Sequence, residues 1–181
     1  SSSELELQKL IEQAPWLIRP EWTPISENKG LKKVKDSLER FLTSKTGQDV
    51  TLSTISNPTK RPDFVLIGSE GPLRLVEIKK PLHDFDKADF DRFWPYVDAL
   101  DEFFADKANA SALSIVQGYE ITLVADGIKL PSFLNGSLDS LKNAKKLVHV
   151  RWDVLIDHTK SVHEDFLSAL EQSGLSSPHQ S

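Results

Sequence analysis

The stretch Arg61-Pro62-Asp63-Phe64-Val65-Leu66-Ile67-Gly68-Ser69-Glu70-Gly71-Pro72-Leu73-Arg74-Leu75-Val76-Glu77-Ile78-Lys79-Lys80-Pro81 decides the fold. Two apolar runs, Asp63 to Ile67 and Leu73 to Lys79, flank Gly68-Ser69-Glu70-Gly71-Pro72, whose composition favours a turn. They predict two strands joined as a hairpin. Side chains alternate along a strand, so Glu77 and Lys79 share one face behind Leu75, while Ile78 points to the other. Charges that emerge beside apolar neighbours are costly unless paired or bound to something. Asp63 opens the first strand, so the hairpin brings both carboxylates toward one place. Two close carboxylates repel, and a cation, a shared proton or a nearby lysine relieves them. The alternative reading of Glu77 and Lys79 is a structural ion pair on an exposed strand face, worth little stability.

Upstream, Lys29 to Thr46 predicts a helix: Leu31, Val34, Leu38, Phe41 and Leu42 share one face, and Gly47 follows as a C-cap. Asp49 to Ile55 alternates Val, Leu and Ile with polar residues and predicts a further strand. Arg19 to Asn28, with Pro20 and Pro24, reads as a loop after a short amphipathic helix over Glu4 to Gln13. Trp16 and Trp22 pack that helix onto the sheet or mark a surface where another domain docks. Downstream, Asp86 to Lys107 places Phe90, Phe93, Val97, Leu100 and Phe104 on one helix face, which reads as core. Pro95 inside it predicts a kink or a break. Tyr119 to Val124 and Leu147 to Trp152 predict strands, and Asp153 to Gln172 a last helix with Leu155, Thr159, Val162, Phe166 and Leu170 inward. The expected architecture is mixed α/β, a central mixed sheet flanked by helices. Three segments result: 1–28 as an N-terminal extension, 29–172 as the domain, and 173–181 as a flexible tail.

With no cysteine in 181 residues, thiolate zinc sites and disulfides are excluded, and any metal must rest on carboxylates, carbonyls or imidazoles. Oxygen donors suit Mg2+, Mn2+ or Ca2+ rather than Zn2+. No apolar run is long enough to span a membrane, and the first residues lack the apolar stretch of a secretory signal, so an intracellular, cytoplasmic domain is expected. Methionine is absent and the chain begins Ser1-Ser2-Ser3, which predicts a piece of a longer protein with tag residues at its start. The net charge of −5 opposes indiscriminate nucleic-acid binding. It hides an asymmetry. Residues 29–61 carry eight Lys or Arg against three acids, and residues 82–107 carry the reverse, eight acids against three bases. Such an arrangement directs a polyanion to one face, or simply reflects two solvated helix faces.

Pro62-Asp63, a spacer, and Glu77-Ile78-Lys79, extended by Lys79-Lys80-Pro81, resemble the signature of the PD-(D/E)XK nuclease superfamily. The surrounding order of elements is similar to the restriction-endonuclease-like core of that family. The chain further resembles nuclease domains of bacterial antiviral defence proteins of the Shedu type, and C-terminal domains of proteins with a histidine-kinase-like ATPase module. The segments Leu7-Gln8-Lys9-Leu10 to Pro15-Trp16-Leu17 and Trp22-Thr23-Pro24 carry that closer likeness. The resemblance implies a Mg2+- or Mn2+-dependent nuclease in which Asp63, Glu77 and the Ile78 carbonyl hold the metal. Lys79 assists the attacking water, and Glu39, with Asp36 second, supplies a further acid from the first core helix. It also implies DNA ahead of RNA as substrate, an ATPase or other domain in the longer chain, and a homodimer. Lys33, Arg61, Lys80, Arg92 and Tyr96 are the candidate substrate contacts, although alternation turns Lys80 toward the opposite face and solvent. One departure stands out: many relatives carry a Gln shortly before the Tyr of the following helix, where Arg92-Phe93-Trp94-Pro95-Tyr96 has none. A catalytically degenerate nuclease-fold module that binds nucleic acid or protein is the alternative.

Overall fold

The computed structural model describes residues 23–27, 29–67 and 71–172. The expected helix Glu4 to Gln13, Trp16, Trp22, turn residues 68–70 and the tail 173–181 lie outside the described residues.

The predicted hairpin is the centre of the sheet. Strands β2 (Phe64–Ile67) and β3 (Leu73–Ile78) run antiparallel, with Phe64 opposite Val76 and Ile67 opposite Leu73. Strand β1 (Thr23–Glu27) pairs antiparallel with the outer side of β2. On the other side, β5 (Tyr119–Val124) runs parallel to β3, and β7 (Leu147–Val150) parallel to β5. The order β1-β2-β3-β5-β7 is a mixed five-stranded sheet. Two-residue strands β4 (Asp84–Phe85) and β6 (Gly127–Ile128) form a separate parallel pair.

Strand alternation sorts the apolar residues onto two faces. Val65, Ile67, Leu73, Leu75, Ile121 and Leu123 face helix α1 (Leu31–Thr46) and helix α2 (Lys87–Ala105), against Leu31, Val34, Leu38 and Leu42 of the first and Phe90, Phe93, Val97 and Leu100 of the second. Leu66, Val76 and Val124 point the opposite way, against Trp152 and Leu155 of helix α4 (Trp152–Gln172). Helix α3 (Ser132–Asn143) links β6 to β7 and buries Leu138 and Leu141. The mixed α/β class with helices on a mixed sheet is therefore the one observed. Among the described residues no helix is long and apolar enough to cross a membrane.

Four local expectations are corrected. The segment Asp49 to Ile55 buries Leu52 and Ile55 as its alternation requires, yet it is not a strand. Side chains take the place of a neighbouring strand: the amides of Val50, Leu52 and Ser53 donate to Thr43 Oγ1, Glu39 Oε1 and Asn109 Oδ1 at 3.0, 3.0 and 2.7 Å. The loop expected over Arg19 to Asn28 contains β1 instead, so the sheet takes in residues assigned from sequence to an extension. Pro24 is tolerated there because β1 is an edge strand and the ladder shifts register between Pro24 and Ser26. Pro95 does not divide its helix, and α2 runs unbroken from Lys87 to Ala105. The carbonyl deprived of a partner by Pro95 belongs to Asp91, an exposed residue whose backbone water can serve. Helix α3 was not expected, because Gly136 and two Asn weaken its propensity.

The end of β3 is pinned at both backbone groups of one residue, Lys79. Lys79 N–H donates to Val124 O at 2.8 Å, and the indole Nε1–H of Trp152 donates to Lys79 O at 2.7 Å. Trp152→Phe keeps the apolar ring in the second core and removes only that donor. The variant is expected to lose about 1–3 kcal/mol in urea denaturation. An unchanged midpoint would show that α4 does not hold the end of β3.

Candidate active site

The β2–β3 register, continued one step past Phe64 and Val76, sets Asp63 across from Glu77. The N–H of Ile78 donates to Asp63 Oδ2 at 2.8 Å, which turns that carboxylate toward the end of β3. Both acids line a cavity of about 340 Å³ between the end of β3 and the first turns of α2. Leu123, which pairs with Glu77 in the β3–β5 ladder, forms part of its wall, with Phe85 and Phe93. Ile78, Lys79, Arg61, Arg92 and Tyr96 complete the lining with Asp89.

Electrostatics follow from this seat. Burial pushes the Glu77 carboxyl well above its ordinary value, and the Asp63 charge adds to the rise, against a smaller opposing hydrogen bond from the Asp63 backbone. Burial also raises Asp63, opposed by the Ile78 N–H. Glu77 Oε1 is buried and has no hydrogen-bond partner. The Tyr96 phenol is raised by burial and by the charges of Glu77 and Asp63, so it stays protonated.

Lys79 does not form the ion pair with Glu77 that their shared strand face allows. Its ammonium lies 2.8 Å from Asp89 Oδ1 on α2. Arg92 pairs with the same oxygen one helical turn on. Burial alone would raise Asp89, but hydrogen bonds from Lys79 and from the Asp86 backbone hold it below the usual carboxylate value. Asp89 also closes a capping box: Asp86 N–H donates to Asp89 Oδ2 and Asp89 N–H to Asp86 Oδ1, each at 3.0 Å. Asp89 is the site residue that the sequence reading missed. The spacing Asp86-Lys87-Ala88-Asp89 at the head of a helical pattern is the signal that could have found it.

Of the expected residues, Asp63, Glu77, Ile78, Lys79, Arg61, Arg92 and Tyr96 are brought together. The others are not. Glu39 accepts the Leu52 amide and lies 3.2 Å from Lys35, so its carboxylate is committed to seating the 49–55 segment. Asp36 lies 3.8 Å from Lys35. Lys33 is exposed on α1, and Lys80 is exposed beyond β3.

The donor set fits a hard divalent cation. A buried carboxylate oxygen without a partner, beside a second raised carboxyl, is relieved by positive charge at that point. Among the described residues no group of three or more His, Cys, Asp or Glu side chains converges. Magnesium commonly takes one or two carboxylates and keeps its waters, so Asp63 and Glu77 with a backbone carbonyl are a sufficient set.

No protein-family model, curated protein or solved structure matches this chain. The stability of the metal-free chain carries a direct signature of the site. A carboxyl whose value is raised on folding keeps its proton where the unfolded chain, near 4.5 for Glu, has released it. Stability in EDTA therefore falls as pH rises through the interval between 4.5 and the raised Glu77 value. Glu77→Gln, which has no carboxyl to ionise, is expected to flatten that slope and to be more stable than wild type at neutral pH. Urea titrations at stepped pH test this, and a Glu77→Gln chain less stable than wild type would contradict it.

Proposed function

We propose that this chain is a metal-dependent phosphodiester hydrolase of the PD-(D/E)XK type, a nuclease domain acting on DNA. The observation that carries the reading is Glu77: a carboxylate on an apolar sheet face, beside Asp63, with a buried oxygen that no protein group satisfies. Natural folds keep such a local conflict where function requires it.

Asp63, Glu77 and the Ile78 carbonyl would hold Mg2+ or Mn2+. When bound, the ion supplies Lewis acidity toward a phosphate oxygen and lowers the pKa of a coordinated water. Lys79 faces the same cavity, where its ammonium can orient the attacking water and stabilise charge developing on phosphate. Arg61 and Arg92 are lining residues whose guanidinium groups would suit phosphate oxygens. Tyr96 keeps its proton and remains a donor. Phe85, Phe93 and Leu123 form an apolar wall that limits water on the remaining side. The acidic total charge and the acids of residues 82–107 leave phosphate attraction to these few cations.

A second reading, a degenerate module that binds nucleic acid or protein, is favoured by one observation: Glu39, the expected third acid, is tied to Leu52. Incubation with Mg2+ or Mn2+ and a panel of plasmid, linear duplex, single-stranded DNA and RNA separates the two. Cleavage is expected in metal, none in EDTA, and a loss of about 100-fold or more in Lys79→Ala. Metal uptake without cleavage of any substrate would favour the binding module, and cleavage that persists in both controls would overturn the assignment of the site.

A further inference from the structure

We propose that Asp89 is a positioning residue that holds the Lys79 ammonium away from the Asp63–Glu77 pair, so that the pair stays open to a divalent cation. The proposal rests on the reading of that pair as a cation site. Strand geometry makes the opposite arrangement easy. Glu77 and Lys79 stand two residues apart on one face, a separation of about 7 Å along the backbone, which a lysine side chain can bridge. In the absence of a competitor, an ammonium beside these two partly buried carboxylates would neutralise them and occupy the place of the metal.

Asp89 is that competitor. Its side chain is only 5% exposed, and its Oδ1 lies 2.8 Å from Lys79 Nζ. Its orientation does not depend on Lys79, because Oδ2 is fixed by the Asp86 N–H in the capping box of α2. Helix α2 in turn is anchored by Phe90 and Phe93 in the main core. The carboxylate thus meets Lys79 from a rigid element, while Glu77 Oε1, on the same face of β3, has no hydrogen-bond partner. Arg92 shares Oδ1, so two cations are drawn to the α2 side of the cavity and none to Glu77 Oε1. Near the site the capping box therefore has two consequences, starting the helix and partitioning the charges.

The test is a set of double-mutant cycles read by urea denaturation in EDTA. Lys79→Met and Glu77→Gln are made singly and together, in the native background and in Asp89→Asn, which keeps an oxygen for the Asp86 N–H. In the native background the two effects are expected to add. In Asp89→Asn they are expected to be coupled, Lys79→Met destabilising only while Glu77 is present. Coupling already present in the native chain, or additivity in Asp89→Asn, would overturn the proposal. If Asp89→Asn does not fold, the native-background cycle decides alone: additivity upholds the placement of Lys79 and coupling overturns it. A second arm measures Mn2+ binding by calorimetry. Asp89→Asn is expected to weaken it by about tenfold or more, and Lys79→Met in that background to restore it. Weakening without restoration would mean that Asp89 acts structurally, against the proposal. A wild-type chain that takes up no Mn2+ overturns the cation-site reading itself, while the EDTA cycles still uphold or overturn the placement of Lys79.

Discussion

The antiparallel pairing of β2 with β3 is the constraint on which the rest of the site depends. With Phe64 opposite Val76, Asp63 falls across from Glu77, and Leu75, Glu77 and Leu123 look toward α2. A slip of one residue would turn Glu77 and Lys79 toward α4 and present Ile78 to the cavity. Burial on both faces forbids the slip, since Leu73 and Leu75 fill one core while Leu66 and Val76 fill the other. The end of the strand is then fixed by three hydrogen bonds: Ile78 to Asp63, Lys79 to Val124, and Trp152 to Lys79. A carboxylate carried by so well-determined a backbone has little freedom to seek water.

That lack of freedom explains the electrostatics. A glutamate on a solvated face would keep its ordinary value and find its own partners. Glu77 instead sits between Leu123 and Asp63, where burial and a like charge both favour the protonated form. The one lysine on its face is taken by Asp89, whose own low value reflects its hydrogen bonds from Lys79 and Asp86. The cavity is therefore divided. One side carries two carboxyls that resist ionisation, and the other an aspartate with two cations. A bound cation on the first side and a phosphate near the second would complete both halves without moving the backbone.

Much of this was legible in the sequence because it follows from local rules. The turn Gly68 to Pro72 between two apolar runs announced the hairpin, and period-two alternation placed Glu77 and Lys79 together. Helix α1 was marked by its leucines and by Gly47, observed in the left-handed conformation at φ 71°. What was not legible depends on neighbours far along the chain. The alternation of Asp49 to Ile55 is that of a strand, but whether a strand forms depends on a free edge, and Glu39, Thr43 and Asn109 fill that place. Strand β1 was hidden by Pro24, which reads as a breaker until the chain is known to lie at an edge. Glu39 has the spacing of a site acid but points at Leu52. Asp89 looked like one of eight acids in an acidic stretch, and only the approach of β3 distinguishes it from Asp91, which pairs with Lys87 on the exposed side of the helix.

The claim at the centre is that Asp63 and Glu77 form a cation site. Crystals of the chain soaked in Mn2+ and measured for anomalous scattering test it most directly. A single strong peak is expected between the two carboxylates and within ligand distance of the Ile78 carbonyl, and it should vanish in Glu77→Gln. A map with no peak there, or with manganese only at acids elsewhere on the surface, would contradict it.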